Sequence, residues 1–199
     1  MSTIGIILLA AGSSSRMGRP KQLLPIEGEP LLVRSVKAAV RSKAHELVVV
    51  LGSNYKSHRE VIAGFSIETI ENQEWQKGMG NSLKKGVSHL INKNDSLNAV
   101  IVLVCDQPYL SSDIINKLIE EFEQTKSKIV ASIYAGIIGV PALFDFSMFE
   151  KILHLGDEQG AKKLIQQQLA NVTAVDFPKG IIDLDFPEDY ESLLGNYAL

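Results

Sequence analysis

A single cysteine, Cys105, stands among the 199 residues, so no intramolecular disulfide can form and a reducing compartment is the natural setting. Long apolar runs are missing as well. The stretch Ile4–Ala11 is too short to span a bilayer, and no basic residue precedes it as in a signal peptide, since Arg16 and Lys21 follow it. It reads as a buried strand, and the chain as a cytoplasmic protein without a membrane partner. There is no basic excess: the formal net charge is −3, which argues against a general nucleic-acid binder. A local basic site for one polyphosphate remains compatible with that balance. Repeats, low-complexity tracts and Pro/Gly/Ser-rich linkers are absent, so one domain over residues 1–199 is expected. His45, His58, His89 and His154 form no metal spacing and read as surface or packing residues. No serine lies in a G-x-S-x-G elbow, and Cys105 has no histidine beside it in sequence, so it reads as a small core residue rather than a nucleophile.

What is present is the composition of an ordinary soluble enzyme, 45% hydrophobic and 22% charged. Ile4–Leu9, Glu46–Leu51, Ala99–Cys105 and Ile129–Tyr134 are near-continuous Val/Ile/Leu runs, as in parallel strands covered on both faces. Amphipathic patterns over Pro30–Ser42, Asn81–Asn92 and Ser112–Thr125 lie between them, the last with Ser111 or Ser112 as its N-cap. This β-α-β-α order implies an α/β fold with a mostly parallel sheet and right-handed crossovers. A further strand is expected at Ile67–Glu71. After Tyr134 the pattern loosens. Gly136, Gly139 and Pro141 suggest a loop over Ala135–Asp145 leading into an irregular strand, followed by helices at Ser147–Leu155 and Glu158–Leu169, a strand at Val172–Val175 and a closing helix at Pro187–Leu194.

The most informative segment follows the first strand: Leu9-Ala10-Ala11-Gly12-Ser13-Ser14-Ser15-Arg16-Met17-Gly18-Arg19-Pro20-Lys21. Ligands of open α/β sheets bind beyond the carboxyl ends of strands. Gly12 and Gly18 permit close backbone approach and positive φ. Small residues between them expose N–H groups and hydroxyls suited to phosphate oxygens. Arg16, Arg19 and Lys21 crowd three positive charges into one loop, which an anion would relieve. The segment is neither a P-loop, because Met17 stands where the second glycine belongs, nor a dinucleotide fingerprint, because Ser14 replaces its middle glycine. Pro20 disfavours a helix starting at Gly18, so an extended strap around phosphates is expected. Asp106 closes the strongest core strand and is the best single candidate for a Mg²⁺ ligand, the competing reading being a turn aspartate before Pro108.

Leu9 to Pro25, in the order L-A-A-G-x-S-x-R-M-G-x-x-K-x-L-L-P, resembles the signature of nucleotidyltransferases related to molybdenum cofactor cytidylyltransferase. The resemblance implies a three-layer αβα, Rossmann-like nucleotidyltransferase fold. It extends to Asn72–Leu83 (N-x-x-W-x-x-G-M-x-x-S-L), Gly136–Phe144 (G-x-x-G-x-P-x-L-F) and Asp183–Tyr190 (D-x-D-x-P-E-D-x). It implies nucleotide contacts from Leu9, Ala10, Ala11, Gly12, Ser13, Ser14, Gly80 and Ser82, and a Mg²⁺ shared by Asp106 and Asp185, with Asp183 as the alternative. Trp75 and Met79 read as packing residues. Glu188 and Asp189 suit the first turn of a helix. Two departures bear on the acceptor: Val140 stands where many relatives carry histidine, and Lys162 replaces an arginine whose bidentate fork lysine lacks.

The implied reaction joins a nucleoside monophosphate from an NTP, CTP favoured, to a phosphorylated acceptor of the molybdopterin type. A molybdoenzyme that receives the product is a further implied partner. Lys21 would neutralise the α-phosphate and Arg16 would hold the β- and γ-phosphates. Two readings compete: the same chemistry on a sugar phosphate or another alcohol phosphate, and a cofactor carrier that has kept the fold without turnover.

Overall fold

The computed structural model of the chain describes residues 2–197. Its elements, in chain order, are β1 (Ile4–Ala10), a two-stranded hairpin β2 (Pro25–Ile26) and β3 (Glu29–Pro30), α1 (Leu31–Val40), β4 (Glu46–Leu51), α2 (Tyr55–Val61), β5 (Glu68–Glu71), α3 (Met79–Lys93), β6 (Ala99–Val104), α4 (Ser112–Thr125), β7 (Ile129–Tyr134), β8 (Ile137–Asp145), α5 (Phe149–Leu153), α6 (Ala161–Gln167), β9 (Val172–Asp176) and α7 (Pro187–Tyr197). Seven strands form one sheet in the order β5-β4-β1-β6-β8-β7-β9. All its pairings are parallel except those of β8, which runs antiparallel to both β6 and β7.

Apolar side chains cover both faces of this sheet, which is why its strands read as continuous hydrophobic runs. Along β1, Ile4, Ile6 and Leu8 enter one core with α1 and α4, while Ile7 and Leu9 enter the other with α3, α5 and α6. The result is three layers. Fully burying a Leu or Ile side chain contributes about 1.5–3 kcal/mol each, so β1 and β6 are the most firmly held strands. β1 lies between β4 and β6, so the chain winds away from it in both directions. The crevice beyond the tips of β1 and β6 is therefore the switch point where such sheets take ligands.

The segment after Tyr134 differs from the loop expected there. β8 is a nine-residue strand in the interior of the sheet. Ala135 and Gly136 both take positive φ and turn β7 tightly into β8. A register shift beside Ala131 and Ser132 absorbs Pro141, which would otherwise break the ladder. α2 was not anticipated, because Tyr55–Val61 is mostly polar and of its residues only His58 is buried. α5 and α6 are shorter than expected, and residues 156–160 between them are not helical. Among the described residues, no helix is long and apolar enough to cross a membrane.

Candidate active site

The strap after β1 is anchored by Met17, which is buried. It consists of two 3-10 turns, Ser15–Met17 and Lys21–Leu23, rather than an extended segment. Positive φ occurs at Ser14 and Gly18, and Gly12 does not need it. The space beside the Gly12 α-carbon is open instead. Gln22, only 2% exposed, holds the strap's shape. Its Nε2 donates to the Gly12 carbonyl at 2.9 Å and its Oε1 accepts from Ser14 Oγ at 3.1 Å. Ser14 Oγ also accepts from the Lys21 amide at 3.1 Å. Ser14 thus serves the strap internally, and sequence reasoning passed over Gln22 altogether.

Lys21 reaches across to two acids from distant parts of the chain. Its Nζ lies 2.9 Å from Asp106 Oδ2 and 3.0 Å from Asp185 Oδ1, and Arg16 lies 2.8 Å from the other Asp185 oxygen. Burial works to strip the Lys21 proton, but the two carboxylates outweigh it and hold the ammonium above its ordinary pKa. Asp106 sits just past β6. Asp185 is brought there by a backbone bond from the Leu184 amide to the Asp106 carbonyl, 2.9 Å long. Asp189, at the start of α7, fixes the turn: its Oδ2 accepts from the amides of Asp185 at 3.0 Å and Phe186 at 2.7 Å. The helix-start role expected of Asp189 therefore also positions Asp185. The Arg16 guanidinium stacks on Phe186.

Two clefts meet at Lys21. The first, about 310 Å³, is lined by Leu9, Ala10, Ala11, Gly12 and Ser13 of the β1 tip and strap, by Trp75, Gly78, Met79 and Ser82, and by Cys105 and Asp106. Ser82 is held by Asn72, which is fully buried and donates to Ser82 Oγ at 2.9 Å. Trp75 packs on Gly52, where a Cβ would come within 2.6 Å of it. Met79 packs its sulfur against Gly160, yet it is half exposed and borders both clefts. Gly80 does not line this cleft. A Cβ on it would meet the Gly156 carbonyl oxygen at 2.3 Å and that of Gln159 at 2.5 Å. Its absence of a side chain serves the packing of α3 on the loop 156–160. That loop is pinned further by Lys84, which donates to Asp157 at 2.6 Å and to the Leu155 carbonyl at 2.9 Å.

The second cleft, about 430 Å³, shares Lys21, Met79, Val104 and Asp106 with the first. Val140 and Lys162, the two positions of departure, both line it, as do Arg16, Tyr134, Asp183 and Asp185. Gln107 joins its walls, donating from Nε2 to the carbonyls of Val140 and Gly180, each at 3.1 Å. Tyr134 donates to the same Val140 oxygen at 3.3 Å. Burial, reinforced by Asp106 and Asp185, raises the Asp183 pKa. Burial and Asp106 likewise push the Cys105 thiol up to about 12, which leaves it protonated and poorly nucleophilic.

The residues fit a hard divalent cation. Among the described residues no three His, Cys, Asp or Glu side chains converge as a closed metal site. Mg²⁺ asks for less, one or two carboxylates completed by phosphates and water. Asp106 and Asp185 already converge on one positive group, the Lys21 ammonium.

A mostly parallel sheet with its charged cleft at the switch point is the architecture of the Rossmann-like nucleotidyltransferases. The sequence matches the MobA-like NTP transferase domain over residues 6–172, and the chain belongs to that family. It is 29% identical to the purine catabolism protein PucB of Bacillus subtilis over 197 residues, 93% of each chain. It is 35% identical to the nicotine blue oxidoreductase of Paenarthrobacter nicotinovorans over 117 residues, 57% of this chain and 54% of that one. The fold is shared with Rv0371c from Mycobacterium tuberculosis, with a TM-score of 0.82, 24% identity and 98% of both chains covered. A structure of Rv0371c in complex with manganese gives 0.78 at 22% identity, with 98% of this chain and 99% of that one covered.

Proposed function

We propose that this protein transfers a nucleoside monophosphate, CMP from CTP in the leading version, to a phosphorylated acceptor of the molybdopterin type, with release of pyrophosphate. The observation that carries the reading is the Lys21 ammonium, bridging Asp106 and Asp185 where the two clefts meet. The NTP occupies the first cleft, its phosphates running under the strap toward Lys21 and Arg16. The acceptor occupies the second. An acceptor phosphate oxygen forms a bond to the α-phosphorus as the bond to the bridging oxygen of the β-phosphate breaks, and that electron pair leaves with pyrophosphate. No protein nucleophile is needed, because a phosphate oxygen is already ionised at neutral pH.

Catalysis then rests on positioning and on charges fixed in advance. Lys21 offsets charge that builds on the α-phosphate, and Arg16 holds the departing pyrophosphate. Gly12 and Ser13 present the strap's backbone to the phosphates, and Ser82 and Trp75 border the nucleoside. Asp106 and Asp185 are the residues that would hold Mg²⁺, whose part is to reduce repulsion between the two anionic substrates. The manganese complex of Rv0371c supports a divalent cation in this fold. The single buried, protonated cysteine fits a cytoplasmic location.

A second reading keeps the chemistry and changes the acceptor. It is favoured by Val140 and Lys162, which place an aliphatic side chain and, besides Lys21, a second ammonium in the acceptor cleft. Pyrophosphate release, measured with the four NTPs against molybdopterin and a panel of sugar phosphates, tests both. Release that requires CTP and molybdopterin supports the first, release with a sugar phosphate the second. NTP binding without release under every pairing would leave a carrier.

A further inference from the structure

In the structure, three of the four carboxylate oxygens of Asp106 and Asp185 are filled by the chain's own cations. Lys21 takes Asp106 Oδ2 and Asp185 Oδ1, and Arg16 takes Asp185 Oδ2. Mg²⁺ needs its oxygens at about 2.0–2.1 Å, and although a carboxylate oxygen can serve a metal and a donor at once, the ammonium and guanidinium in front of these oxygens oppose the approach of a further positive charge. The ion-paired set of two acids and two bases is neutral, and a lone dication gains little by entering it. Lys21 is also poorly placed to retreat, since its side chain is only 16% exposed. Arg16 is mostly exposed but is held a second time by the Phe186 ring.

We infer that Lys21 and Arg16 act as resident counter-cations that keep divalent metal out of the Asp106–Asp185 pair until a polyphosphate draws them off, so that the metal enters with the nucleotide. This rests on the reading of the site given above and names its substrate as the metal–NTP complex. The phosphates give Lys21 and Arg16 new partners, and the carboxylates are freed in the same event. Metal and nucleotide are then coupled positively through one charge exchange, and the coupling must be reciprocal.

The test is binding of Mn²⁺ alone, followed by the electron paramagnetic resonance signal of the free ion, in wild type, Arg16→Gln and Lys21→Met. No nucleotide or acceptor is present. Lys21→Met frees two oxygens and Arg16→Gln one, so affinity should rise in the order wild type, Arg16→Gln, Lys21→Met, the last by about tenfold or more. Equal affinity in all three overturns the inference. Thermal melts establish that each variant folds, and if Lys21→Met does not, the comparison of Arg16→Gln with wild type decides in the same direction. Calorimetric titration of CTP into the wild type is run separately. No CTP binding, with the Mn²⁺ order intact, would defeat CTP as the donor and leave the exclusion of metal by Lys21 and Arg16 standing.

Discussion

The amide of Leu184 donates to the carbonyl oxygen of Asp106 across 2.9 Å. This one backbone bond stitches the segment before α7 to the tip of β6. Asp185 follows directly, and its side chain arrives beside that of Asp106, with Lys21 between them. The three charged groups come from segments separated by 85 and 164 positions along the chain. Their meeting depends on how firmly each segment is tied down, and the ties make separate predictions.

Asp189 is the tie for Asp185. Replacing it with alanine removes the acceptor of two backbone N–H groups at the start of α7, and each hydrogen bond lost costs about 0.5–1.5 kcal/mol. Turnover should fall by more than the fraction unfolded explains, because Asp185 loses its fixed position. Asp189→Asn, which keeps an acceptor oxygen, should recover most of both. Melting temperature and pyrophosphate release, measured on the same samples, check this.

Gly80→Ala should destabilise without touching a charged side chain. The added methyl would meet three backbone oxygens of the loop 156–160, and overpacking of this kind costs about 1–3 kcal/mol. At roughly 2–4 °C per kcal/mol for a chain of this size, the shift is readily resolved in a thermal melt. An unchanged melting temperature would mean that the loop moves aside freely.

His58 should make stability depend on pH. It is fully buried, neither ring nitrogen has a hydrogen-bond partner, and burial lowers its pKa below the usual 6.5. As pH falls through 6.5 the unfolded chain takes up the proton while the folded one does not, so the unfolded state binds more protons and stability drops. Melting temperature should therefore decline between about pH 7 and about pH 5. His58→Leu should flatten that slope, and a slope unchanged by the substitution would place its cause elsewhere.

Cys105 borders the first cleft yet is 4% exposed, with its thiol pushed up to about 12. Native protein should resist iodoacetamide near neutral pH, where reactive thiols carry appreciable thiolate. Unfolding in guanidinium should expose one reactive thiol. Rapid stoichiometric labelling of the native form would contradict the burial.

Much of this was legible before any coordinates. β1, β4, β6 and β7 stood out because strands buried on both faces need unbroken Val, Ile and Leu. Arg16, Lys21 and Asp106 stood out because charges beside such strands have few structural explanations. β8 did not, since Pro141 and two glycines look like a loop unless the register shift that accommodates them is known. α2 has no apolar face to announce it. The meeting of Asp185 with Asp106 came through resemblance alone, because no local pattern reports a pairing over that separation. Gln22, Asn72 and Gln107 were missed for a related reason. Each is a polar residue whose work is to satisfy buried partners, and burial of a polar side chain leaves no periodic trace.

The central claim is nucleotidyl transfer at the Lys21–Asp106–Asp185 centre, and the most direct test follows the α-phosphate of CTP. With α-labelled CTP and the acceptor, label should pass to the acceptor as one pyrophosphate appears per transfer. In folded Asp106→Ala and Lys21→Ala the rate should fall by about 10²–10³. Transfer at the wild-type rate in either variant would contradict the account.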